Sequence, residues 1–528
     1  MTLLNISPRE YQKEILKTCI EKNCLVVLPT GLGKTLIALM LAIERMEKFP
    51  GEKVVFLAPT KPLAEQHLNY FKKNLPELFG DFQLFTGTVK PSERKKIWQK
   101  TDIIFSTPQC VANDLKKGLY DLEEVCLLIE DEAHRCTKNY DYNIVAKKYK
   151  EQSSHPRILG LTASPGSEAT KIKEICRNLS IEEVELRTRE SPDVKQYLQE
   201  LTFEKVMVDL PEEFQKIQEV LTRLFNIYVG ELKNRRVLFG PASKTGLINL
   251  QKRLMMEITR GRKDFNHLLA ASACATSIKI QHALELLETQ TIFGFNKYLE
   301  EISRQAVQKK NKGVVKLVSK PEFDYALVKS KEFLTKGIEH PKMNELNRII
   351  TEELEKEISI KIIIFTQFRD TASLISERIN KIKGINSAVF VGQTKKSDHL
   401  GKNTSGLSQK DQKKMIEEFS SGEVNVLCAT SIGEEGLDIP EVNAVIFYEP
   451  VPSAIRAIQR AGRTARLAKG KLFMLITKKT RDEAHFYVSK AKEKKMHEAI
   501  TQIKKDFTNN SGINLKEEVQ KRLDETNI

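Results

Sequence analysis

Apolar and polar residues alternate along the chain in two different ways. From about residue 5 to residue 186, short apolar runs such as CLVVL and KVVFLAP are separated by helix-like stretches, and each run ends in a polar or small residue. Parallel sheets with helices on both faces have this pattern. Ligands in such sheets bind beyond the carboxyl ends of the strands, so the polar tips mark the candidate site.

The middle of the chain, between about Glu212 and Lys336, has apolar residues three and four positions apart, which predicts helices. After His340 and Pro341, runs such as KIIIFTQF and VNVLCATS predict a second parallel α/β unit. The predicted divisions are residues 1–205 for a first lobe, 206–336 for a helical insert, 337–482 for a second lobe and 483–528 for a helical C-terminal tail.

The net positive charge of the chain indicates a class of binding partner. The net charge is +15, and the excess of Lys and Arg is concentrated in the helical middle segment. A lysine-rich solvated surface would give the same sum, but a local excess favours binding of a polyanion such as nucleic acid. A length of 528 residues also predicts several domains.

Neither a membrane span nor a cysteine metal site is expected. No apolar run approaches the roughly 18 residues of a membrane span, and the first residues, MTLLNISPREYQ, do not resemble a signal peptide. We therefore expect an intracellular protein, cytoplasmic and associated with the nucleoid. The eight cysteines are scattered without a CxxC pair, which predicts buried thiols rather than metal ligands.

The stretch LPTGLGKT, which follows the first apolar run, resembles a phosphate-binding loop. The usual pattern GxxxxGK[ST] would place a glycine where Leu28 stands, although the turn does not need one if Leu28 ends the strand. A glycine turn and a helix amino end bind phosphates through backbone N–H groups. Lys34 would reach the terminal phosphates, and Thr35 would offer its hydroxyl to Mg²⁺. The candidate nucleotide-binding residues of the loop are Thr30, Gly31, Gly33, Lys34 and Thr35.

A second element, VCLLIEDEAH, is an apolar strand that ends in Asp131 and Glu132. Two neighbouring carboxylates buried only for structure would repel each other, so this pair favours a chemical role. Asp131 can hold Mg²⁺ through water, and Glu132 can orient the attacking water. Together with the glycine loop, the pair predicts hydrolysis of a nucleotide that carries Mg²⁺.

With these two elements the sequence resembles the superfamily 2 helicases, and further motifs follow in the expected order. The first-lobe motifs are PREYQ, LAPTKPL, TG, STPQ and TAS, and the second-lobe motifs are FTQFRDTA, ATSIGEEGLDIP and QRAGRTAR. The resemblance implies an α/β fold of two RecA-like parallel-sheet lobes with a mainly helical insert between them. It also implies ATP and Mg²⁺ as cofactors, and it tolerates an apolar residue at the position of Leu28.

Site residues follow from the same resemblance. Arg463 and Arg466 would be arginine fingers that reach the nucleotide from the second lobe, so catalysis would require the lobes to close. His134 and Gln459 would link the site to the far lobe. The remaining nucleotide-facing residues would be Gln12, Gly436 and Asp438. The nucleic-acid contacts would be Thr60, Thr86, Thr107, Gln367 and Thr430 on the lobes, and Lys309, Lys310, Lys312 and Lys316 on the insert.

Within the superfamily, DEAHR, TASPG, HPK and the helical insert most resemble the branch that contains the Hef, FANCM and Mph proteins. This implies a monomeric motor that acts on branched DNA and grips duplex with a thumb-like insert. Hef also carries a nuclease region beyond the motor, and we expect no nuclease within these residues. Two alternatives remain, an ATPase that depends on double-stranded RNA and a clamp whose grip on nucleic acid is switched by nucleotide.

Overall fold

The structure is a computed structural model of the chain. It describes residues 6–509 except 88, 139, 198–200, 262–263, 309–310, 358–359, 393–395, 398–402, 405, 431–439, 441 and 452–469. Two parallel sheets, each flanked by helices, and a helical domain make up the described part. This confirms the predicted class of two α/β lobes with a helical insert.

The first sheet has seven strands, and nearly all of their residues are buried because helices cover both faces. The strands are β1 (Cys24–Val27), β2 (Lys53–Leu57), β3 (Phe82–Phe85), β4 (Ile103–Ser106), β5 (Val125–Asp131), β6 (Ile158–Thr162) and β7 (Glu183–Leu186). Their order across the sheet is β3-β4-β2-β5-β6-β1-β7, and every neighbouring pair is parallel. All the strands therefore end at one edge, where the polar tips predicted from the sequence lie.

Eight helices surround this sheet and bury apolar stripes against its two faces. They are α1 (Glu10–Glu21), α2 (Lys34–Lys48), α3 (Lys61–Asn74), α4 (Pro91–Lys100), α5 (Pro108–Lys116), α6 (Asp141–Gln152), α7 (Ala169–Asn178) and α8 (Pro192–Lys195). Helices α1, α2 and α3 contribute to one apolar layer, and α5, α6 and α7 contribute to the other.

The second sheet has six strands, in the order β10-β13-β9-β14-β15-β8. They are β8 (Leu201–Val208), β9 (Ile362–Phe365), β10 (Ser387–Phe390), β13 (Val426–Ala429), β14 (Ala444–Phe447) and β15 (Gly470–Thr477), and the two-residue strands β11 (Lys396–Ser397) and β12 (Asn403–Thr404) pair separately. Its helices are α15 (Pro341–Lys356), α16 (Arg369–Ile379), α17 (Gln409–Ser421) and α18 (Arg481–Asn509).

Strand β8 corrects one predicted boundary. It pairs in parallel with β15 along its whole length, so residues 201–205, predicted to be in the first lobe, and residues 206–208, predicted to be in the insert, belong to the sheet of the second lobe. The alternating pattern LTFEKVMV identifies a strand, but it cannot say which sheet that strand joins, because pairing is decided by distant residues.

The insert is a bundle of six helices between β8 and α15. They are α9 (Glu212–Asn234), α10 (Lys244–Thr259), α11 (Phe265–Thr289), α12 (Ile292–Val307), α13 (Lys312–Val318) and α14 (Pro321–Thr335). The two longest, α9 and α11, have 23 and 25 residues and pack on each other, so each extends about 35 Å at a rise of about 1.5 Å per residue. The predicted helical character is confirmed.

Buried polar contacts fasten the insert to the second lobe. Lys342 of α15 forms an ion pair with Asp482 of α18, and both side chains are at most 1% exposed. The same Lys342 Nζ donates to the backbone oxygen of Thr289 in the insert, at 3.2 Å. Thr371 of α16 donates to Gln290 Oε1 at 2.9 Å, also within the buried region. The joint is therefore buried and specific.

Helix α18 touches both lobes. Phe486 near its start lies in the core of the second lobe, whereas Met496, Ile500 and Ile503 lie in an apolar layer of the first. Met496 Sδ accepts a hydrogen bond from Ser164 Oγ at 2.8 Å. The helix predicted for the tail thus begins at Arg481 and bridges the two lobes.

All eight cysteines are free and buried, which confirms the prediction of buried thiols. Within the described ranges, no helix combines the length and the apolar character that a bilayer span requires.

Candidate functional site

The glycine-containing loop begins where β1 ends. The Leu28 N–H donates to the Thr162 oxygen at 3.1 Å and its side chain is buried, so Leu28 continues the strand and the turn starts after it. Gly31 and Gly33 then adopt left-handed φ angles of +85° and +77°, which favour glycine. Gly33 is the N-cap of α2. The first N–H groups of that helix have no intrahelical acceptor and are the ready partners of an anion.

Gln12 holds this loop from the side of α1. Its Nε2 donates to the Leu32 oxygen at 3.1 Å, and its Oε1 accepts from the Arg9 N–H at 2.8 Å. A β-carbon added at Gly33 would lie 2.3 Å from Gln12 Nε2, so a larger residue there would displace the Gln12 amide as well as strain φ. The residue predicted to read adenine therefore lies against the phosphate loop.

Two side chains of the loop have hydrogen-bonding capacity that phosphate could use. Lys34 Nζ donates to the Leu28 oxygen at 2.8 Å and lies 3.5 Å from the Pro29 oxygen. Thr30 Oγ1 is buried and, among the described residues, has no hydrogen-bond partner. A triphosphate oxygen would satisfy this hydroxyl, so the residues present fit the nucleotide that the sequence predicts.

Asp131 ends β5 in a polar but closed environment. His67 Nε2 lies 2.9 Å from Asp131 Oδ2, and the hydroxyl of Tyr142 donates to the Asp131 backbone oxygen at 2.7 Å. Burial alone would raise the pKa of the Asp131 carboxyl, but the His67 hydrogen bond and the charges of His67 and Lys34 outweigh it and hold that pKa below its usual value. Asp131 is thus an anion at the strand tip.

The carboxyl group that precedes it behaves differently. Burial raises the pKa of Glu130 to about 8, and the Cys136 thiol donates to Glu130 Oε2 at 2.9 Å. Glu130 therefore favours its uncharged form at neutral pH, which lessens the repulsion that three consecutive acidic residues would otherwise produce.

Glu132 has a left-handed backbone, with φ of +52° and ψ of +46°, which is uncommon for a residue with a side chain and concentrates at functional sites. Its Oε2 lies 3.2 Å from His134 Nδ1. The same nitrogen lies 3.3 Å from Thr162 Oγ1 at the end of β6. His134 thereby joins Glu132 to the TAS motif within the first lobe, and the predicted link from His134 to the second lobe stays a prediction.

The half of the sheet edge that carries the glycine-containing loop and Asp131 opens on a cavity of about 740 Å³ between the lobes. Thr35 and His67 line it from the first lobe, and Lys410, Lys413 and Glu417 of α17 line it from the second. A group bound at the phosphate loop would therefore face the second lobe.

The expected nucleic-acid contacts of the first lobe lie on the other half of the same edge. Thr60, Thr86 and Thr107 follow β2, β3 and β4, which are neighbours in the sheet. Thr60 and Thr107 are N-caps, but neither hydroxyl makes a capping hydrogen bond in the described structure. Thr86 is buried, so it can offer little more than its backbone.

The second-lobe candidates Gln367 and Thr430 follow β9 and β13, which are also neighbours. Gln367 is exposed and Thr430 is buried. Lys312 and Lys316 are exposed on α13 of the insert. Seven predicted site residues lie outside the described residues, namely Lys309, Lys310, Gly436, Asp438, Gln459, Arg463 and Arg466.

His67 is the site residue that sequence reasoning missed. The buried positions of α3 are Ala64, His67, Leu68, Phe71 and Asn74, so a histidine occupies the apolar stripe of the helix. A polar residue at a core position needs a partner, and this irregularity was the available signal. The sequence could not show that the partner is Asp131.

Comparison with protein families gives three matches along the chain. Residues 9–172 match the DEAD/DEAH box helicase model, and residues 341–468 match the helicase conserved C-terminal domain. Residues 213–334 match a helical bundle described for a provisionally named ATP-dependent RNA helicase. The three matches correspond to the first lobe, the second lobe and the insert.

Whole-chain similarity extends to solved and named proteins. The crystal structure of the Hef helicase domain of Pyrococcus furiosus is 41% identical with a TM-score of 0.71, and the match covers 93% of this chain and all of that one. A Methanocaldococcus jannaschii protein with the provisional name of ATP-dependent RNA helicase is 39% identical over 93% of this chain. The ATP-dependent DNA helicase mph1 of Sclerotinia sclerotiorum is 31% identical over 98%. The chain spans 60% and 42% of these two relatives, respectively.

Proposed function

The chain belongs to the DEAD/DEAH box helicase family, and from this premise we propose that it is an ATP-dependent DNA helicase or translocase that remodels branched DNA such as forks and four-way junctions. One observation carries the proposal. The phosphate loop and the Asp131–Glu132 pair meet at one edge of the first sheet, and that edge opens on the cleft between the lobes. Hydrolysis there can be converted into relative movement of the lobes.

The residues of the first lobe divide the chemistry among them. Lys34 leaves the Leu28 oxygen to reach the terminal phosphates, while Thr30 and the α2 N–H groups hold phosphate oxygens. Thr35 and Asp131 would hold Mg²⁺, which when bound neutralises charge on the phosphate oxygens. Glu132 orients the attacking water and accepts its proton.

The second lobe completes the site by closing on it. By family resemblance, Arg463 and Arg466 supply positive charge to the transition state, an effect worth about 10³–10⁵ in rate. The cleft between Thr35 and helix α17 provides the space for this approach. ATP is then hydrolysed only while the two lobes are together.

Nucleic acid is proposed to lie along the half of the edge that carries Thr60 and Thr107. Contacts through backbone N–H groups and hydroxyls read phosphate rather than base edges, so sequence preference should be weak. The insert adds exposed Lys312 and Lys316 and, in the α9–α10 loop, the exposed Arg236 and Phe239. Positive and aromatic side chains together suit a nucleic-acid surface.

Replacement of Glu132 by Gln tests the motor directly. We expect nucleotide and DNA binding to remain while ATP turnover falls by about 10²–10⁴-fold, because the proton acceptor is lost. The exposed Glu14, replaced by Gln, is the matched control and should turn over normally. Strand displacement that is unchanged in the Glu132→Gln variant would reject the motor and favour the nucleotide-switched clamp.

An ATPase dependent on double-stranded RNA is the second candidate, favoured by the RNA helicase names of the insert model and of the Methanocaldococcus relative. ATPase stimulation by matched forks, four-way junctions, plain DNA duplex and RNA duplex separates the two. We expect branched DNA to stimulate most. Strongest stimulation by RNA duplex would assign the chain to the second candidate.

The insert is proposed to grip the duplex arm of the fork. Charge reversal of Lys312 and Lys316 should weaken fork binding and lower the slope of log K against log salt by about 0.9 for each lost phosphate contact, with basal ATPase retained. Reversal of the exposed Lys147 and Lys148 on α6 is the matched control. Equal effects in both pairs would mean that the insert makes no special contact.

The proposal also includes the cellular location and the oligomeric state of the protein. A net charge of +15 favours residence on nucleic acid, and hence a nucleoid-associated cytoplasmic location. The described region is proposed to act as a monomer, which light scattering with and without fork DNA would check. A dimer at micromolar concentration would contradict it.

A further inference from the structure

His67 contacts the carboxylate that is expected to face the metal, yet it lies in none of the motifs that suggested the site. It is on α3, seven positions after the N-cap Thr60. Its Nε2 is 2.9 Å from Asp131 Oδ2, and both side chains are 9% exposed. Because an ionised carboxylate only accepts hydrogen bonds, Nε2 carries the proton and donates it.

The ring of His67 is fixed on its other side by the core. It lies on Phe56 of β2 with a centroid distance of 4.4 Å, and Phe56 contacts Phe71 and Phe105 in turn. A side chain held by an aromatic cluster can orient its partner rather than follow it. His67 therefore sets the position of Asp131 Oδ2, which would leave the other carboxylate oxygen available to a bound Mg²⁺.

The order of the strands indicates that this contact also connects two parts of the sheet edge. Strands β2 and β5 are neighbours. Helix α3 follows β2, and its N-cap Thr60 lies on the half of the edge expected to bind nucleic acid. Asp131 ends β5 on the half expected to bind nucleotide. His67 also lines the cleft between the lobes. Within the described structure it is a direct side-chain link from the helix that starts at the nucleic-acid half to the metal carboxylate.

We propose that His67 is a positioning residue that orients Asp131 for Mg²⁺–ATP and transmits the placement of α3 to that carboxylate when nucleic acid binds near Thr60. The inference rests on the proposed ATP-dependent function and adds a residue and a route to it. Substitution of a residue that hydrogen-bonds to a metal ligand typically lowers the metal affinity by about 10–100-fold.

The affinity for a fluorescent ATP analogue, measured with Mg²⁺ and with EDTA, tests the positioning role without turnover. The ratio of the two affinities reports the metal contribution. We expect this ratio to fall by about 10–100-fold in His67→Ala and in His67→Phe, since Phe keeps the ring but loses the donor. His67→Gln restores a donor and should recover part of the ratio. An unchanged or increased ratio in His67→Phe would overturn the proposal.

Phe71→Leu is the matched control, because Phe71 is buried on the same helix and contacts Phe56 and Phe105. It loosens the packing of α3 while the His67 donor remains. We expect its ratio to match that of the unsubstituted protein, and thermal unfolding of every variant confirms folding. A ratio that falls equally in Phe71→Leu and His67→Phe would reduce His67 to a packing residue and overturn its proposed role.

The transmission step has its own measurement. Fork DNA should tighten Mg²⁺–nucleotide binding in the unsubstituted protein, and by linkage nucleotide tightens DNA binding by the same factor. We expect that factor to approach one in His67→Phe and to persist in Phe71→Leu. If fork DNA still tightened Mg²⁺–nucleotide binding by the same factor in His67→Phe, the transmission through His67 would be overturned, whereas its positioning role would not. If the unsubstituted protein showed no Mg²⁺-dependent nucleotide binding, the proposed function itself would fail.

Discussion

The two lobes have the same strand order but use it differently. In chain order, β2 to β6 of the first lobe correspond to β9, β10, β13, β14 and β15 of the second, and the orders β3-β4-β2-β5-β6 and β10-β13-β9-β14-β15 are then the same. Strand β1 lies beside β6, and β8 lies beside β15, both in parallel. After β1 comes the phosphate loop, whereas after β8 comes the whole insert.

Two lysines show what this difference means. Lys34 begins α2 after the phosphate loop, and Lys342 is in the first turn of α15 after the insert. Lys34 is partly exposed, and its Nζ donates to the Leu28 backbone oxygen, which a phosphate oxygen can replace as the acceptor. Lys342 is fully buried against Asp482. The same connection thus carries the candidate phosphate loop in one lobe and anchors the insert in the other, which implies that the insert moves with the second lobe.

Removal of the Lys34 ammonium should give the largest effect. In Lys34→Ala we expect ATP turnover to fall by about 10²–10³-fold, because a charge that stabilises the transferring phosphoryl group is lost. The thermal unfolding midpoint should change little, since the side chain is not part of the core. If turnover were retained, Lys34 would not contact the phosphates, and the proposed difference between Lys34 and Lys342 would be wrong.

Removal of the Lys342 ammonium should act on stability instead. Lys342→Met leaves Asp482 buried without its cation, which costs about 3–5 kcal/mol of unfolding free energy. Replacement of both residues, as Lys342→Met with Asp482→Leu, should recover most of that loss. Denaturant unfolding measures each step. A loss below about 1 kcal/mol for the single variant would mean that this pair does not anchor the insert.

The Thr371–Gln290 hydrogen bond is a second and smaller anchor between the second lobe and the insert. Thr371→Val keeps the shape but leaves the buried Gln290 oxygen without its donor, which should cost about 1–3 kcal/mol of unfolding free energy. The same denaturant experiment measures it. If the insert and the second lobe unfolded in separate steps even in the unsubstituted protein, the rigid joint would be wrong.

The smallest effect should come from a surface pair on the same helix as Lys342. Arg348 Nη1 lies 2.6 Å from Glu352 Oε1, and both side chains are 46% exposed. Glu352→Ala should cost only about 0.3–0.5 kcal/mol, and less in high salt, because solvent screens the pair. A loss comparable to that of Lys342→Met would show that burial is not what distinguishes the two contacts.

Local chemistry explains what could be predicted from the sequence. Alternating apolar runs predict strands, and spacing of three and four predicts helices, because both patterns depend on neighbouring residues. The glycine turn before Lys34 and the carboxylates after an apolar run are likewise local. They predict which half of the edge binds nucleotide without knowledge of the fold.

Contacts between distant residues explain the rest. The partner of β8 lies more than two hundred and fifty residues further along the chain, with Leu201 opposite Gly470. The pairs His67–Asp131 and Ser164–Met496 also join separate elements. Periodicity reveals that a position is buried, but it does not reveal which distant residue covers it. The boundary at residue 205 and the role of His67 were outside its reach for this reason.

The central claim is that the insert and the second lobe form one body and that ATP draws the first lobe toward it. Cysteines introduced at the exposed positions Leu78, Val328 and Lys414 mark the first lobe, the insert and the second lobe, and the native thiols are buried and should not label. Pulsed electron spin resonance gives the distances with and without an ATP analogue and fork DNA. We predict that the 78–414 distance changes while the 328–414 distance stays constant. A change in the 328–414 distance with a constant 78–414 distance would contradict the account.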